Sequence, residues 1–458
     1  MLQEKTIAFH TLGCKLNFAE TSTLTRSLEK DGFKKVGFET GAEVYVINTC
    51  SVTENADKEC RSIIRKVLSI SPYAQVVVVG CYAQLKAEEI ASIPGVDLVL
   101  GTKEKFRIAE YLKILPYKKK PGGRAEVYSC DVNDVSLFES SYSFGERTRA
   151  FLKIQDGCNY NCTYCTIPLA RGRSRSDQIA HVVDQAWLLG DLGVKEIVLT
   201  GVNIGDFGIH NPRDGSHMET FFELIQKLDE VRGIERFRIS SIEPNLLRDE
   251  IIEFVGASKR FMPHFHIPLQ SGSDRILKLM KRRYLTSLYL ERIERIKSLM
   301  PHCCIGADII TGFPGENENE FLATYNFLKE IDISYLHVFT YSERDDTEAI
   351  QLGEVVPKQE RHLRNKMLRI LSEKKRMAFY SRHLSSIRKV LFELTEAGEY
   401  SEGFTDNYIK VKTIHKNLKG KILEARLNEI SSGAVTADLT GSLHEIVLTT
   451  KAASQALL

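Results

Sequence analysis

The 458-residue sequence lacks the marks of several common protein classes. No run of about 18 apolar residues occurs, which argues against a membrane-spanning helix. The start, MLQEKTIAFHTLGC, has no basic stretch followed by a long apolar run and does not resemble a secretory signal. The net charge of +2 argues against a uniformly basic nucleic-acid-binding surface, although a local basic patch remains compatible with it. We therefore expect a cytoplasmic protein without membrane segments.

Disulfides are also unexpected, because the ten cysteines would lie in a reducing compartment. Clustered cysteines in such a chain indicate metal binding or catalysis. No short repeat or low-complexity tract stands out, and the length suggests about three domains.

Strand and helix patterns alternate from the start of the chain to about residue 115. The segment AQVVVVG is a near-continuous apolar strand, typical of a parallel sheet covered on both faces. We predict an open, flavodoxin-like α/β domain over residues 1–117. A linker over 118–145 follows, because the chain becomes rich in Pro, Gly and Lys at PYKKKPGGR, residues 116–124.

A second alternating region predicts a partial parallel β/α barrel over residues 146–384. Its six strands are AFLKIQDGC, EIVLTG, RFRISSIEP, HFHIPLQS, CIGADIITG and YLHVFTYS. From Pro357 to Lys389, eleven Lys or Arg stand against two acids, which predicts a long basic helix. Short strand patterns then predict a small β-barrel over 385–447, with a tail at 448–458.

Three cysteines of the first domain each follow an apolar strand directly: Cys14, Cys50 and Cys81. Ligand sites of open α/β sheets lie beyond the carboxyl ends of the strands, so the three thiols should converge at one edge. The alternative is three buried structural cysteines.

Cys158, Cys162 and Cys165 follow the first strand of the second domain with the spacing C-x3-C-x2-C. A structural zinc site needs four ligands, and no histidine lies nearby. Thr166 stands where c-type haem attachment needs a histidine. Three thiolates suit a [4Fe–4S] cluster with one iron left open, although zinc and a purely structural role remain alternatives.

The string DGCNYNCTYC resembles the signature of radical S-adenosylmethionine (SAM) enzymes. TLGCKLNFAET, NTCSVTENADK, GCYAQ and CTIPLARGRSRS together resemble the methylthiotransferases of that family, and FTDNYIKVKT resembles a TRAM domain, a small RNA-binding barrel. TLGCKLN, SVTENAD and IPLARGRSRS are most similar to the MtaB type. That type acts on N6-threonylcarbamoyladenosine (t6A) at position 37 of tRNA.

The resemblance implies two [4Fe–4S] clusters, one on Cys158, Cys162 and Cys165 and an auxiliary one on Cys14, Cys50 and Cys81. It also implies the cofactor SAM and the replacement of adenine C2–H by C2–SCH3. One SAM methylates a sulfur at the auxiliary cluster, and a second yields the radical that attacks C2. The implied partners are tRNA and an electron donor such as flavodoxin or ferredoxin, and we expect a monomer.

Rival functions are methylthiotransfer to isopentenyladenosine in tRNA or to a ribosomal protein, and a non-catalytic iron–sulfur RNA-binding sensor.

The resemblance also suggests six residues that contact SAM: Tyr164, Gly201, Asn203, Glu243, Gln270 and Gly312. The alternative is that they are ordinary residues of the barrel loops. We expect one of Arg171, Arg173 and Arg175 to bind the threonyl carboxylate or a tRNA phosphate, because arginine binds both groups through a rigid fork. The alternative is a solvated basic loop.

Some residues fall outside these assignments. The family has a Pro-Gly turn where YSERDDTEA carries Asp345 and Asp346. His264 and His266 point the same way from one strand and are expected to be satisfied barrel histidines, with a metal pair as the alternative. Four further cysteines are expected to be structural: Cys60, Cys130, Cys303 and Cys304.

Overall fold

The computed structural model describes residues 5–51, 54–115, 123–393 and 400–440. The N-terminal unit is a six-stranded parallel sheet of order β2-β1-β3-β4-β5-β6. Its strands are β1 (Thr6–Thr11), β2 (Lys34–Lys35), β3 (Val44–Thr49), β4 (Gln75–Gly80), β5 (Leu98–Leu100) and β6 (Glu126–Tyr128). Its helices are α1 (Lys15–Lys30), α2 (Glu54–Ile70), α3 (Cys81–Leu85), α4 (Ala87–Ala91) and α5 (Ile108–Ile114).

Both faces of this sheet are covered, since two separate apolar clusters pack on its two sides. All residues of β3 and β4 are buried, as their continuous apolar runs predict. The strand order is that of a flavodoxin-like, doubly wound sheet with one added edge strand.

The segment predicted as a linker takes part in both neighbouring sheets. β6 pairs with β5, and β7 (Ser141–Tyr142) pairs antiparallel with β8 (Ala150–Lys153). Strands of two or three residues are too short to show an alternating pattern, so the sequence did not reveal them.

The central unit contains the six predicted strands as one parallel series that begins with β8. The other strands are β9 (Gln155–Asp156), β10 (Arg175–Ser176), β11 (Glu196–Thr200), β12 (Arg236–Ile239), β13 (His264–His266), β14 (Cys304–Thr311) and β15 (Tyr335–Thr340). β9 and β10 form a separate antiparallel pair, while single parallel bridges join β12 to the segment around β13. The result is a partial barrel that stays open between β7 and β15.

Helices cover the outside of this barrel around one large apolar core. They are α7 (Ile179–Asp191), α8 (Phe221–Asp229), α9 (Asp249–Ala257), α10 (Asp274–Leu279), α11 (Thr286–Leu299), α12 (Glu318–Glu330) and α13 (Lys358–Ser381). The short helix α6 (Ile167–Arg171) instead packs against α3 of the N-terminal unit.

The basic helix α13 ends earlier than predicted, because Ile387–Phe392 already forms β16 of the C-terminal barrel. Much of its charge is also internal. The Arg361 guanidinium is buried and donates to the carbonyl oxygen of Tyr341 at 3.1 Å, and buried Arg364 donates to Glu316 at 2.7 Å. The helix therefore presents fewer free cations than its composition suggests.

The C-terminal unit is a closed five-stranded barrel of order β16-β17-β18-β20-β19. Its strands after β16 are β17 (Ser401–Thr405), β18 (Lys410–Thr413), β19 (Ile422–Ser431) and β20 (Ala434–Leu439). Arg236 and Arg238 of β12 donate to carbonyl oxygens of Lys389 and Asp406 at 2.8 and 3.2 Å. Tyr408 stacks on His264 with ring centroids 4.2 Å apart. The small barrel therefore closes the amino-terminal end of the central barrel and leaves its carboxyl end for a site.

Candidate active site

The three cysteines of the N-terminal unit follow β1, β3 and β4, which are neighbours in the sheet: Cys50 and Cys81 come directly after their strands, and Cys14 comes three residues after Thr11. Gly13 has a φ of +92°, and a Cβ at this position would lie 2.8 Å from the Cys50 Sγ. The chain before Cys14 therefore passes Cys50 closely, which requires glycine. Cys14 and Cys81 interact electrostatically, and Cys14 is the exposed member of the three, whereas Cys50 and Cys81 are buried. The structure thus brings the three thiols to one edge.

Cys158, Cys162 and Cys165 lie on the loop between β9 and α6, at the carboxyl end of the first barrel strand. Burial raises the pKa of Cys158 and Cys165 to about 12 and also raises that of Cys162. The free thiols are therefore protonated, and a metal group that binds them must displace protons.

The spacing of the sulfurs distinguishes a cluster from a single ion. Zn–S bonds of about 2.3 Å place sulfur ligands of one zinc ion about 3.8 Å apart. Among the described residues, neither triplet brings its three Sγ atoms mutually within 4.8 Å. The Tyr160 N–H and the Arg282 Nη1–H donate to the Cys158 and Cys162 sulfurs at 3.4 and 3.2 Å, as suits thiolate ligands. The donor set therefore fits an iron–sulfur cluster better than a mononuclear metal.

Arg282 is the residue at this site that sequence reasoning missed. Its guanidinium contacts the Glu243 carboxylate and lies 3.4 Å from the Tyr164 hydroxyl, besides its bond to Cys162. The segment RILKLMKRR reads as one helix, but α10 ends at Leu279 and Lys281 has a φ of +54°. That turn directs Arg282 inward, and no residue type in MKRR indicates a positive φ, so the sequence carries no signal for it.

A cavity of about 220 Å³ lies beside Cys165, and it contains two of the predicted SAM contacts. Tyr164 and Gln270 line it together with Asp308, Ile310 and Tyr341. Gln270 has a φ of +69°, unusual for a residue with a side chain, and hydrogen bonds to β14 on both sides hold it there.

The other predicted SAM contacts lie outside the lining of this cavity. Asn203 is buried, and neither atom of its side-chain amide has a partner among the described residues, which suits a polar ligand group. Gly201 lies against Gln155, whose Oε1 accepts from the Asn203 N–H at 2.8 Å. A Cβ at Gly312 would lie 2.2 Å from Arg361, so this glycine is needed for packing.

Two of the three candidate arginines are buried and not on the cavity surface. Arg171 is 1% exposed and donates to Glu20 and Asp156 at 3.0 Å each. Arg175 donates to Asp156 at 3.1 Å, and only Arg173 is exposed. Lys105 and Lys153 complete this ion network, with bonds of 2.6 and 3.0 Å to Glu20. The guanidinium groups of Arg171 and Arg175 are thus occupied by internal ion pairs, and the prediction that one of the three arginines binds substrate now rests on Arg173.

We expect Arg171→Met to lower the free energy of unfolding by about 3–5 kcal/mol, because it leaves Glu20 and Asp156 buried without a main partner. Arg173→Met, two residues away and exposed, should change it by less than about 0.5 kcal/mol. Urea unfolding of the full chain, followed by circular dichroism, measures both. Equal unfolding midpoints for the two variants would contradict the expectation.

The loop that departs from the family pattern faces the N-terminal unit. Asp345 and Asp346 lie 3.6 and 3.4 Å from the Lys86 ammonium, and Arg344 lies 2.5 Å from Asp57. The two acids therefore join the central unit to the N-terminal one.

The remaining cysteines belong to neither triplet, whereas the buried Nδ1 of His264 has no partner among the described residues, and His266, Asp308 and His337 lie close enough together to hold a metal ion. Cys60, Cys303 and Cys304 lie in three different apolar clusters, and Cys130 is half-buried. The His264 ring lies 3.0 Å from the Tyr335 hydroxyl, and His266 lies 2.8 Å from Asp308.

Two family models match the chain: the radical SAM superfamily over residues 152–328 and the uncharacterized protein family UPF0004 over residues 6–101. The threonylcarbamoyladenosine tRNA methylthiotransferases MtaB of Bacillus subtilis and Aquifex aeolicus are 40% and 38% identical to it. They match 92% and 91% of this chain and 94% and 98% of their own lengths. The tRNA-2-methylthio-N(6)-dimethylallyladenosine synthase of Clostridium tetani is 31% identical over 94% of this chain and 95% of its own.

Among solved structures, the radical SAM methyltransferase TsrM of Kitasatospora setae, with tryptophan and a SAM analogue bound, has a TM-score of 0.53 at 15% identity. The similarity covers 73% of each chain and supports the fold alone. No helix in the described part of the chain has the length and apolar character needed to span a membrane. From the two cysteine sites and the extent of these matches, we conclude that the chain belongs to the radical SAM methylthiotransferase family.

Proposed function

We propose that this protein converts t6A at position 37 of tRNA to its 2-methylthio derivative, replacing adenine C2–H by C2–SCH3. The observation that carries the proposal is the link between the two cysteine sites. Helix α6 begins two residues after Cys165 and ends at Arg171, whose guanidinium interacts with Cys14 and Cys81. Five residues span about 8 Å of helix, so the two sites lie close enough to serve one substrate.

In this proposal Cys158, Cys162 and Cys165 hold one [4Fe–4S] cluster, and Cys14, Cys50 and Cys81 hold the auxiliary cluster. When bound, these groups supply the electron that cleaves SAM and the sulfur that is transferred to C2.

The residues around the first site bind and orient SAM. The unpartnered Asn203 amide offers both a donor and an acceptor to the polar groups of the methionine part. Tyr164 and Gln270 line the cavity that would receive the nucleoside part. Arg282 holds the Cys162 sulfur and Glu243 in fixed positions and contributes a positive charge beside the cysteine loop. Burial of this region keeps water from reactive groups.

The tRNA would bind through the C-terminal barrel and the exposed cations of α13, such as Lys366, Arg369 and Lys374. Because such contacts are electrostatic, tRNA affinity should fall steeply with added salt. The target base must leave its stacked loop to reach the cavity. Exposed Arg173 remains a candidate for a phosphate contact.

Because tRNA is the substrate, we also propose that the protein works in the cytoplasm. A flavodoxin or ferredoxin would supply its electrons, and we propose that it acts as a monomer.

The test is anaerobic incubation of the reconstituted protein with SAM, a reductant and tRNA that carries either t6A or isopentenyladenosine. Mass spectrometry of the digested nucleosides should detect methylthio-t6A alone. Product from isopentenyladenosine alone would assign the dimethylallyl-type activity instead. Absence of 5′-deoxyadenosine with either tRNA would contradict an enzymatic function and favour an iron–sulfur sensor.

A further inference from the structure

The inside of the central barrel holds two imidazoles and a carboxylate to which the proposed reaction assigns no role. His266, Asp308 and His337 come from the neighbouring strands β13, β14 and β15. Asp308 lies opposite His337 in the sheet, while His266 lies opposite Gly306, two residues before Asp308. Alternate residues of a strand face the same side, so the three side chains share one face of the sheet. Ile309, on the other face, packs in the apolar core beneath the helices, which places the three polar side chains inside the barrel.

The three side chains are close enough together to share one metal ion. The Asp308 Oδ1 lies 2.8 Å from the His266 Nε2 and 3.3 Å from the His337 Nδ1. The three possible ligand atoms all lie within 4.8 Å of one another, and no other trio of histidine, cysteine or acidic side chains in the described part of the chain is that close. Bonds of about 2.0–2.2 Å from zinc to nitrogen and oxygen place the ligands of a tetrahedral site about 3.4 Å apart. One ion therefore fits between these atoms after small movements of the side chains.

The surroundings of His266 hold its ring in the orientation that a metal ligand needs. The Tyr335 hydroxyl lies 3.4 Å from the His266 Nδ1, while the Nε2 of the same ring faces Asp308. A Cβ at Gly306 would lie 2.2 Å from the Cζ of Tyr335, so this glycine provides the space that the tyrosine ring occupies. Metal-bound histidines commonly have their second ring nitrogen held by such an outer partner. One of the three ligands is thus oriented before an ion binds.

The site is open to solvent and to the cavity beside Cys165. Asp308 lines that cavity. The His337 side chain is 55% exposed and borders a second cavity, of about 270 Å³, between β15, α13 and the C-terminal barrel. Three protein ligands leave a coordination position open, whereas structural zinc sites are closed by four. An ion can therefore enter from solvent, and its open position would take water or an oxygen atom of a molecule bound in the cavity.

We propose that His266, Asp308 and His337 bind one divalent transition-metal ion of the kind that imidazole ligands favour, such as Zn²⁺. Each histidine binds as the neutral imidazole, with its other ring nitrogen protonated. The ion is distinct from the iron of the two proposed clusters, because none of its ligands is a cysteine. It adds a fixed positive charge beside the cavity, and the inference does not depend on the proposed function.

The experiment measures Zn²⁺ binding to the full-length protein with both clusters reconstituted. Equilibrium dialysis against buffered Zn²⁺, with zinc and iron counted by mass spectrometry, gives the affinity and the number of ions bound per chain. His337→Ala should bind the ion at least about 100-fold more weakly than wild-type protein, because loss of even an outer partner of a ligand costs roughly 10- to 100-fold. His337 is largely exposed, so its replacement should leave the fold intact. His362→Ala, at an exposed position of α13, is the matched control and should bind zinc as the wild type does.

X-ray absorption at the zinc edge identifies the ligands of the bound ion. Wild-type protein should show nitrogen and oxygen at about 2.0–2.1 Å, whereas zinc held by cysteines shows sulfur at about 2.3 Å. Asp308→Asn, which keeps the size of the side chain, should lose the same ion, and circular dichroism verifies that each variant is folded. Wild-type protein without a bound ion, sulfur as the main ligand, or unchanged zinc affinity in either folded variant would overturn the inference.

The binding measurement contains no tRNA, so it fails independently of the proposed function. Modification of t6A by a protein that binds no ion at this site would refute the metal site alone. Zinc bound at this site by a protein that forms no methylthio nucleoside would refute the proposed function alone.

Discussion

Cys162→Ala is expected to reduce the formation of 5′-deoxyadenosine from SAM by more than about 100-fold. Loss of a residue that only hydrogen-bonds a metal ligand typically costs roughly 10- to 100-fold, and this variant loses the ligand itself. The loop between β9 and α6 offers three thiols, and in the proposed assignment these three are the ligands that the protein supplies to the cluster. Removing one leaves two ligands for the cluster and also removes the sulfur to which Arg282 donates. The measurement is liquid chromatography of anaerobic reactions with a chemical reductant, with or without tRNA.

The matched control for this variant is Cys130→Ser, because Cys130 is half-buried and belongs to neither triplet. It should retain the wild-type rate. Comparable 5′-deoxyadenosine formation by Cys162→Ala and wild-type protein would show that the cluster does not depend on this loop.

The second large effect separates the two cysteine sites. Cys50→Ala should still form 5′-deoxyadenosine, within about threefold of the wild-type rate, but should yield no methylthio nucleoside. Cys50 belongs to the N-terminal unit, so its loss leaves the loop of Cys158 and the adjoining cavity intact. Alanine also keeps the Cβ that packs close to Gly13, which limits the structural damage. Both products are measured in the same reaction by mass spectrometry.

Cys60→Ala is the control for the second prediction, because Cys60 is a buried cysteine of the same unit that lies in an apolar cluster. It should retain both products after allowance for any loss of folded protein. Methylthio product from Cys50→Ala at the wild-type level would rule out Cys50 as a ligand of the sulfur-donating group. Loss of 5′-deoxyadenosine as well would show that the two sites cannot be separated.

Features that depend on short-range pattern could be predicted from the sequence. Cys14, Cys50 and Cys81 each follow a run of apolar residues, and the structure places all three after neighbouring strands of one sheet. The six barrel strands and the closed C-terminal barrel were predicted in the same way, because side-chain periodicity reports the local backbone conformation. The strands β6 and β7 were missed because they have two or three residues each and lie in a segment without an apolar run.

Features that depend on contacts between distant segments were decided only by the tertiary structure. No local sequence pattern indicates that Arg171 is buried, because its partner Glu20 and the Lys105 that shares this carboxylate lie far from it along the chain. Arg282 reaches Cys162 across 120 positions of the chain. The sequence by itself determined where the cysteines leave their strands, since this is a local property of the backbone. Whether each charge is buried, paired or exposed depended on how the separate units pack. The physical reason is that electrostatic energy depends on the distance between charges and on their access to solvent, which spacing along the chain does not determine.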